Sequence, residues 1–284
     1  MTMTRICKNK VTDIIRDQFG ANPLRVPEAR ILPMCVLEIE EQKKQYLGEF
    51  QFLVRNGFNH PLPVREEHVA EVSDERTKAI DVKTGFDILG GFLKALNINP
   101  GSVSAAFKKS KNMAFTFSNV RRKFVDVLQL GQILSQNELF GDKDNFILQP
   151  ALSGQGVRLG LITDVIVSNN FSITSLVNEE TSVEVDVESI AKVLGNVNVG
   201  TKVTRAADNA VKFEGPTDLT FAFSCLEIKI DPTSGKFSRG DWIMNLKSAS
   251  GVQRTLESLK PGEERELDWL LFDNNKQHQL LIEL

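Results

Sequence analysis

The sequence predicts an α+β fold, a twisted antiparallel sheet with long hairpins and several short helices. Three observations carry that prediction. Apolar and polar residues alternate over several long runs, the period of a strand with one buried face. Gly, Pro and Asn punctuate those runs as turn residues do. The helical stripes are few and short. Eighteen Phe against one Tyr and two Trp add apolar area without a polar handle, which suits a core or a lipid-facing surface and excludes a Tyr-rich recognition surface.

Residues 6–19 place Cys7, Val11, Ile14, Ile15 and Phe19 at helical spacing, stopped by Gly20 and decorated by Arg5, Lys8, Lys10 and Arg16. Residues 26–40 read as extended, because Pro23, Pro27 and Pro33 break any helix. Residues 47–54 read as a strand ending at the Asn56-Gly57 turn. Residues 87–96, with Gly90-Gly91, form a short apolar helix that ends near Pro100. Residues 102–126 alternate on both sides of the polar stretch Lys108-Lys109-Ser110-Lys111-Asn112, which predicts a long hairpin with a basic turn. A helix over 128–139 follows. Strand patterns fill 157–168 and 170–188, a short helix covers 190–194, and 197–204 alternates again. The last clear strand is 217–231, with Leu219, Phe221, Phe223 and Cys225 on one face. After Lys236 the character changes: an apolar stretch, then the small polar run 247–254 that reads as an exposed linker, then Trp269-Leu270-Leu271-Phe272. Residues 241–284 carry eight acids and five bases, so the whole net charge of −3 lies there.

Composition excludes several functions. A dedicated nucleic-acid binder needs a basic excess to displace counterions, and 34 basic against 37 acidic residues supply none. Cys7, Cys35 and Cys225 are odd in number and widely separated, which predicts neither a disulfide framework nor a zinc site. No signal-peptide core and no apolar run of about 18 residues is present, so a cytoplasmic chain is expected. No HExxH, GxSxG or P-loop motif occurs. His60, His68 and His278 are scattered, and Gly154-Gln155-Gly156 precedes a strand pattern and not the helix a phosphate loop needs. Glu66-Glu67 and Glu179-Glu180 read as solvated loop carboxylates. No catalytic residue, metal site or cofactor is expected.

The hairpins and basic clusters point elsewhere. Long alternating hairpins serve as amphipathic strands over a core or as transmembrane strands, and composition leaves both readings open. Lys108, Lys109, Lys111, Arg121, Arg122 and Lys123, with the basic residues of the first helix, flank these elements, as contact with anionic headgroups requires. A solvated face is the plainer reading. Cys7 also has two readings, a small apolar core side chain or an S-acylation site among basic neighbours.

The chain resembles a gasdermin, specifically the short bacterial kind. The resemblance rests on Ile6-Cys7-Lys8, on Phe86 to Leu96 with the 102–126 region, and on Leu219 to Asp231, and it covers most of 1–240. It implies a gasdermin N-terminal-domain-like pore-forming domain over 1–240 and an exposed linker with a short autoinhibitory segment over 241–284. Animal gasdermins carry a large helical repressor domain, whereas only about 40 residues stand there in this chain, which matches the bacterial members. The family mechanism then implies a soluble monomer cut by a caspase-like or related protease. The released domain binds membrane lipids and oligomerises into a large β-barrel pore at the inner membrane, causing cell death in antiphage defence. The resemblance also implies a palmitoyl group on Cys7, and it places cleavage within 245–254, beside Leu246 or Lys247. Two other classes stand beside it, a soluble β-rich scaffold or ligand-binding module and an unrecognised hydrolase. On the gasdermin reading Trp269, Leu270, Leu271 and Phe272 are the repressing anchors, each stabilising the closed state by roughly 1.5–3 kcal/mol on burial. Replacing Trp269 and Phe272 with Ala is therefore expected to cause leakage or toxicity without proteolysis. Variants that stay inert and monomeric contradict the anchor assignment.

Overall fold

The computed structural model describes residues 15–16, 18–40, 44–54, 62–69, 80–81, 89–94, 101, 103, 105–107, 110–136, 144–154, 156–176, 185, 190 and 202–243. Its strands are β1 (Asn22–Glu28), β2 (Cys35–Ile39), β3 (Lys44–Glu49), β4 (Arg65–His68), β5 (Ile80–Asp81), β6 (Asn112–Ser118), β7 (Arg121–Phe124), β8 (Arg158–Leu176), β9 (Lys202–Ala207), β10 (Ala210–Ile230) and β11 (Phe237–Ile243). All pairings are antiparallel and join one sheet. The expected α+β class with an antiparallel sheet is what the structure has.

Two long strands organise everything else. β8 has 19 residues and β10 has 21, and they pair from Leu159↔Ile228 to Thr174↔Ala210. Three short strands lie end to end along the free edge of each. Beside β8 run β2 against 158–161, β7 against 164–167 and β6 against 170–176. Beside β10 run β11 against 225–230, β1 against 220–223 and β9 against 210–214. Pro23 and Pro27 are tolerated because β1 breaks register between Pro23 and Glu28.

Burial divides these long strands in two. In the lower half, every residue from Leu159 to Ser168 of β8 is buried, so the sheet is covered on both faces. Leu161, Leu159, Ile228 and Ile230 pack with Phe50, Leu53, Val125 and Leu130 on one face, and Ile162, Val165, Phe223 and Cys225 pack with Leu24, Leu37 and Ile39 on the other. In the upper half, from Asn170 and up to Glu214, burial alternates through Thr174. The helix Val127–Gln136 closes one lower face, with the Asp126 carboxylate accepting from the backbone N–H of Leu128 (2.9 Å) and Gln129 (3.2 Å) as its cap.

Several expectations need correction. The 102–126 region is not a hairpin about 108–112. Val103 and Phe107, four residues apart, are both buried, and Ala105–Phe107 forms a single helical turn. Alanines and an i,i+4 apolar pair favour that turn over a strand. Lys111 N–H then donates to Leu176 O at 2.8 Å, which starts the ladder of β6. β6 and β7 do not pair with each other: both lie on β8 in one shared register, interrupted only at Asn119 and Val120. The strand expected over 47–54 ends at Glu49, because Phe50, Leu53 and Val54 are buried at helical spacing and Leu53 N–H closes a turn on Phe50 O. The strand expected from 217 begins at Ala210. Residues 157–168 and 170–176 form one strand and not two. β11 runs through the sheet to Ile243.

Gly154 (φ 69°) and Gly156 (φ 78°) turn the chain into β8, which accounts for the glycines there without a phosphate. Gly160 has a different reason. A Cβ there would lie 2.7 Å from Ile39 Cδ1, 3.3 Å from Ile243 Cδ1 and 3.4 Å from Cys225 Sγ. The expected cost of Gly160→Val is about 1–3 kcal/mol from overpacking, read as a lower urea midpoint at unchanged slope. An unchanged midpoint would show that the packing of Ile39, Cys225 and Ile243 about Gly160 is loose.

Candidate functional site

The upper half of the sheet is the part with unusual chemistry. Phe117, Phe171 and Phe213 lie opposite one another across β6, β8 and β10, with Val203 of β9 completing the row. Phe115, Ile173 and Val211 form the next row on the same face. All six β6, β8 and β10 side chains are buried in one cluster. Ala114, Thr116, Ser118, Ser172, Thr174, Lys212 and Glu214 fall on the opposite face and keep solvent exposure. The aromatic rings are in contact: Phe171 stacks on Phe213 at 4.9 Å between centroids, and Phe117 on Phe221 at 4.9 Å.

What covers the apolar face is helical and comes from other parts of the chain. Leu89, Phe92 and Leu93 from the helical residues 89–94, Val103, Phe107 and Ile15 all join the same cluster. Phe92 sits between two sheet rings, 4.4 Å from Phe171 and 5.3 Å from Phe117. The Gly90-Gly91 pair expected within a short apolar helix thus belongs to this cover.

Between the halves all three strands are irregular at one level. Asn119 adopts a left-handed backbone (φ 53°) between β6 and β7. Ser168 Oγ lies 2.7 Å from Ser118 O and 2.8 Å from Asn170 O. Asn119 Nδ2 donates to Asn169 Oδ1 at 3.0 Å, and Asn169 Nδ2 to Gly215 O at 3.4 Å. Between the pairs Glu214↔Asn170 and Leu219↔Ser168, β10 advances five residues while β8 advances two. Gly215 to Asp218 are therefore looped out as a bulge. Asn170 Oδ1 is buried at this level without a hydrogen-bond partner, as are Arg121 Nε at the start of β7 and Asp164 Oδ1 further down β8. Such an atom costs about 1–3 kcal/mol.

The basic residues expected to face membrane have a different environment. Arg121, Arg122 and Lys123 form β7, and each is ion-paired. Arg121 contacts Glu66 at 3.1 Å and also Asp218. Arg122 contacts Glu67 at 3.4 Å and also Asp164. Lys123 lies 3.0 Å from Asp218 and 3.7 Å from Glu66. Glu66 and Glu67, expected as solvated loop carboxylates, stand on β4 directly across from Lys123 and Arg122. Lys111 is exposed at the start of β6. Arg5, Cys7, Lys8, Lys10, Lys108, Lys109, Leu246, Lys247, Trp269, Leu270, Leu271 and Phe272 lie outside the described residues. The residues that sequence reasoning missed are Asp164 and Asp218. One sits in an apolar run and the other beside Pro216 and Thr217, and only the cross-strand register brings them to β7.

Among the described residues no group of His, Cys, Asp and Glu is placed to hold a metal, and no helix is long and apolar enough to cross a membrane. Cys35 and Cys225 are buried free thiols. Burial pushes the Cys225 thiol up to about 12, offset only in part by Arg158. Tyr46, whose hydroxyl is 3.5 Å from Cys35 Sγ, is likewise pushed up to about 12, chiefly by burial.

Comparison with known proteins agrees with this architecture. The model of the Bacterial Gasdermin Family matches residues 24–237. The chain is 29% identical over 239 residues to Gasdermin bGSDM of Vitiosangium sp., covering 83% of this chain and 88% of that one. It is 26% identical over 227 residues to Gasdermin bGSDM of a Desulfuromonadales bacterium, with coverage of 79% and 83%. A solved bacterial gasdermin from Bradyrhizobium tropiciagri has the same fold, with a TM-score of 0.58 at 15% identity over 85% of this chain and 94% of that one.

Two outcomes follow from the packing. Phe92→Ala removes the ring that joins cover to sheet and is expected to cost about 3–5 kcal/mol, read by urea unfolding. A loss under 1 kcal/mol would mean the cover is not held through Phe92. In native protein at pH 8, iodoacetamide should leave Cys35 and Cys225 unmodified, because both thiols are buried out of the reagent's reach and burial also pushes the Cys225 thiol up to about 12. Both should react after denaturation, and rapid native labelling of either contradicts the burial.

Proposed function

Because the chain belongs to the bacterial gasdermin family, we propose that it is an autoinhibited pore-forming protein. The observation that carries this reading is the one-faced burial of the upper sheet. Phe115, Phe117, Phe171, Ile173, Val211 and Phe213 are sheltered by a helical cover from other parts of the chain. A transmembrane strand needs roughly 9–11 residues alternating apolar outward and polar inward, with no edge left open. The upper stretches of β6, β8 and β10 have that alternation already. They become long enough by extending into their flanks while the bilayer replaces the cover against the phenylalanines. The exchange keeps apolar area out of water throughout, so it is an economical route from a water-soluble fold to a barrel.

On this reading the chain is a monomer whose segment 241–284 restrains the domain over 1–240. A caspase-like or related protease cuts beside Leu246 or Lys247. The freed domain binds membrane lipids and assembles with copies of itself into a large β-barrel at the inner membrane, killing the cell during phage attack. The uncut protein stays cytoplasmic. Neither nucleic acid nor a dissociable cofactor takes part. A palmitoyl group on Cys7 anchors the chain to the membrane; the burial of Cys35 and Cys225 supports Cys7 as the acceptor, since neither of the others is accessible.

Dye-loaded anionic liposomes test the reading. With a recognition site for a specific protease placed between Asn245 and Arg254, release is expected only after cutting, and intact protein from the native host should carry a palmitoyl mass on Cys7. Cut protein that stays soluble and monomeric and releases no dye, even when acylated, would instead indicate a soluble β-rich scaffold or ligand-binding module.

A further inference from the structure

We propose that Arg121, Arg122 and Lys123 form an internal ion-pair clasp that holds the sheet bent, a latch within the domain that is separate from the C-terminal segment. The clasp joins four strands. Glu66 and Glu67 belong to β4, the three cations to β7, Asp164 to β8 and Asp218 to the β10 bulge. It grips β7 on both faces: Glu66 and Asp218 take Arg121 and Lys123, whereas Glu67 and Asp164 take Arg122. The tightest part is sheltered, with the Arg121, Asp218 and Lys123 side chains 20%, 20% and 22% exposed and Asp164 only 8%. Partly buried pairs of this kind are screened less than surface ones.

The geometry explains why the clasp restrains movement. Asp218 reaches past β8, which lies between β10 and β7, to meet Arg121 and Lys123. It can do so because Gly215 to Asp218 are looped out at the bend. A straight β8–β10 hairpin must absorb that bulge into the ladder. Absorbing it draws Asp218 away from β7 and leaves two cations without their carboxylate. The clasp therefore opposes straightening directly, at the level where the sheet changes from two-faced to one-faced burial. The same cations become free for anionic headgroups only once the carboxylates let go.

The consequence for pore formation rests on the function proposed above, so the test has two arms. Asp218→Asn keeps the shape and removes the charge, Asp218→Glu keeps the charge, and Arg121→Gln with Lys123→Gln opens the clasp from the other side. In the uncut chain, hydrogen exchange should quicken roughly tenfold at 164–170 and 214–220 for Asp218→Asn and for the double Gln variant. Asp218→Glu should stay near wild type, exchange at 225–230 should not change, and combining Asp218→Asn with the two Gln changes should add little further. In the liposome arm the lag before dye release from the cut chain should shorten by a similar factor for Asp218→Asn. Exchange that does not quicken at the bend, or Asp218→Glu behaving as Asp218→Asn does, overturns the clasp. If cut wild type releases no dye, the pore reading fails while the exchange arm still decides the clasp. If wild type releases dye with the same lag as Asp218→Asn, the clasp fails and the pore reading stands.

Discussion

The pairing of β8 with β10 is the constraint on which the rest depends. Strands of 19 and 21 residues are several times longer than their neighbours. A paired ribbon that long needs apolar cover along its length and partners along both edges. Six short strands supply the edges, three to a side. The cover differs between the two ends, and that difference gives the molecule its two characters.

At the lower end the ribbon is buried on both faces and closely packed, so that a Cβ on Gly160 would come within 2.7 Å of Ile39 Cδ1. At the upper end one face is apolar and one polar, and the apolar face depends on helical residues that include Ile15, Phe19, Leu89, Phe92, Leu93, Val103 and Phe107. Phe suits that arrangement because a ring with no polar handle needs no hydrogen-bond partner to leave behind when its neighbour changes. Between the ends the bulge at 215–218, the left-handed Asn119 and the unpartnered Asn170 Oδ1 collect in one line. Protein interiors deform at a few discrete places and otherwise move as packed units. This line is where such a change would be concentrated.

The strong periodic signals were readable in the sequence. β8 and the lower part of β10 announce themselves through runs such as Leu159 to Ser168 and Leu219 to Ile230, and the helix at 127–136 through its stripe. Two of the misreadings share one cause. Over a few residues, apolar spacing of four resembles alternation, so Val103 with Phe107 and Phe50 with Val54 read as strands. The upper part of β10 went unread because Gly215 and Pro216 look like a strand's end when they are a bulge within it. The charged residues of β7 were legible as a cluster, but their partners were not. Asp218 lies nearly a hundred positions away, and only the register of three strands makes it a neighbour of Arg121.

The central claim is that the face now sheltered by the helical cover becomes the lipid-facing side of a barrel. Alternate-residue probe scanning reads it directly. A polarity-sensitive fluorophore is attached in turn at positions 114, 115, 116, 117, 171, 172, 173 and 174, and the cut protein is assembled on liposomes bearing a lipid-linked quencher. The account predicts that 115, 117, 171 and 173 pass from cover to lipid and are quenched. Positions 114, 116, 172 and 174 should instead stay open to an aqueous quencher. Uniform quenching along each strand, or sheltered positions that meet neither quencher after assembly, would contradict it.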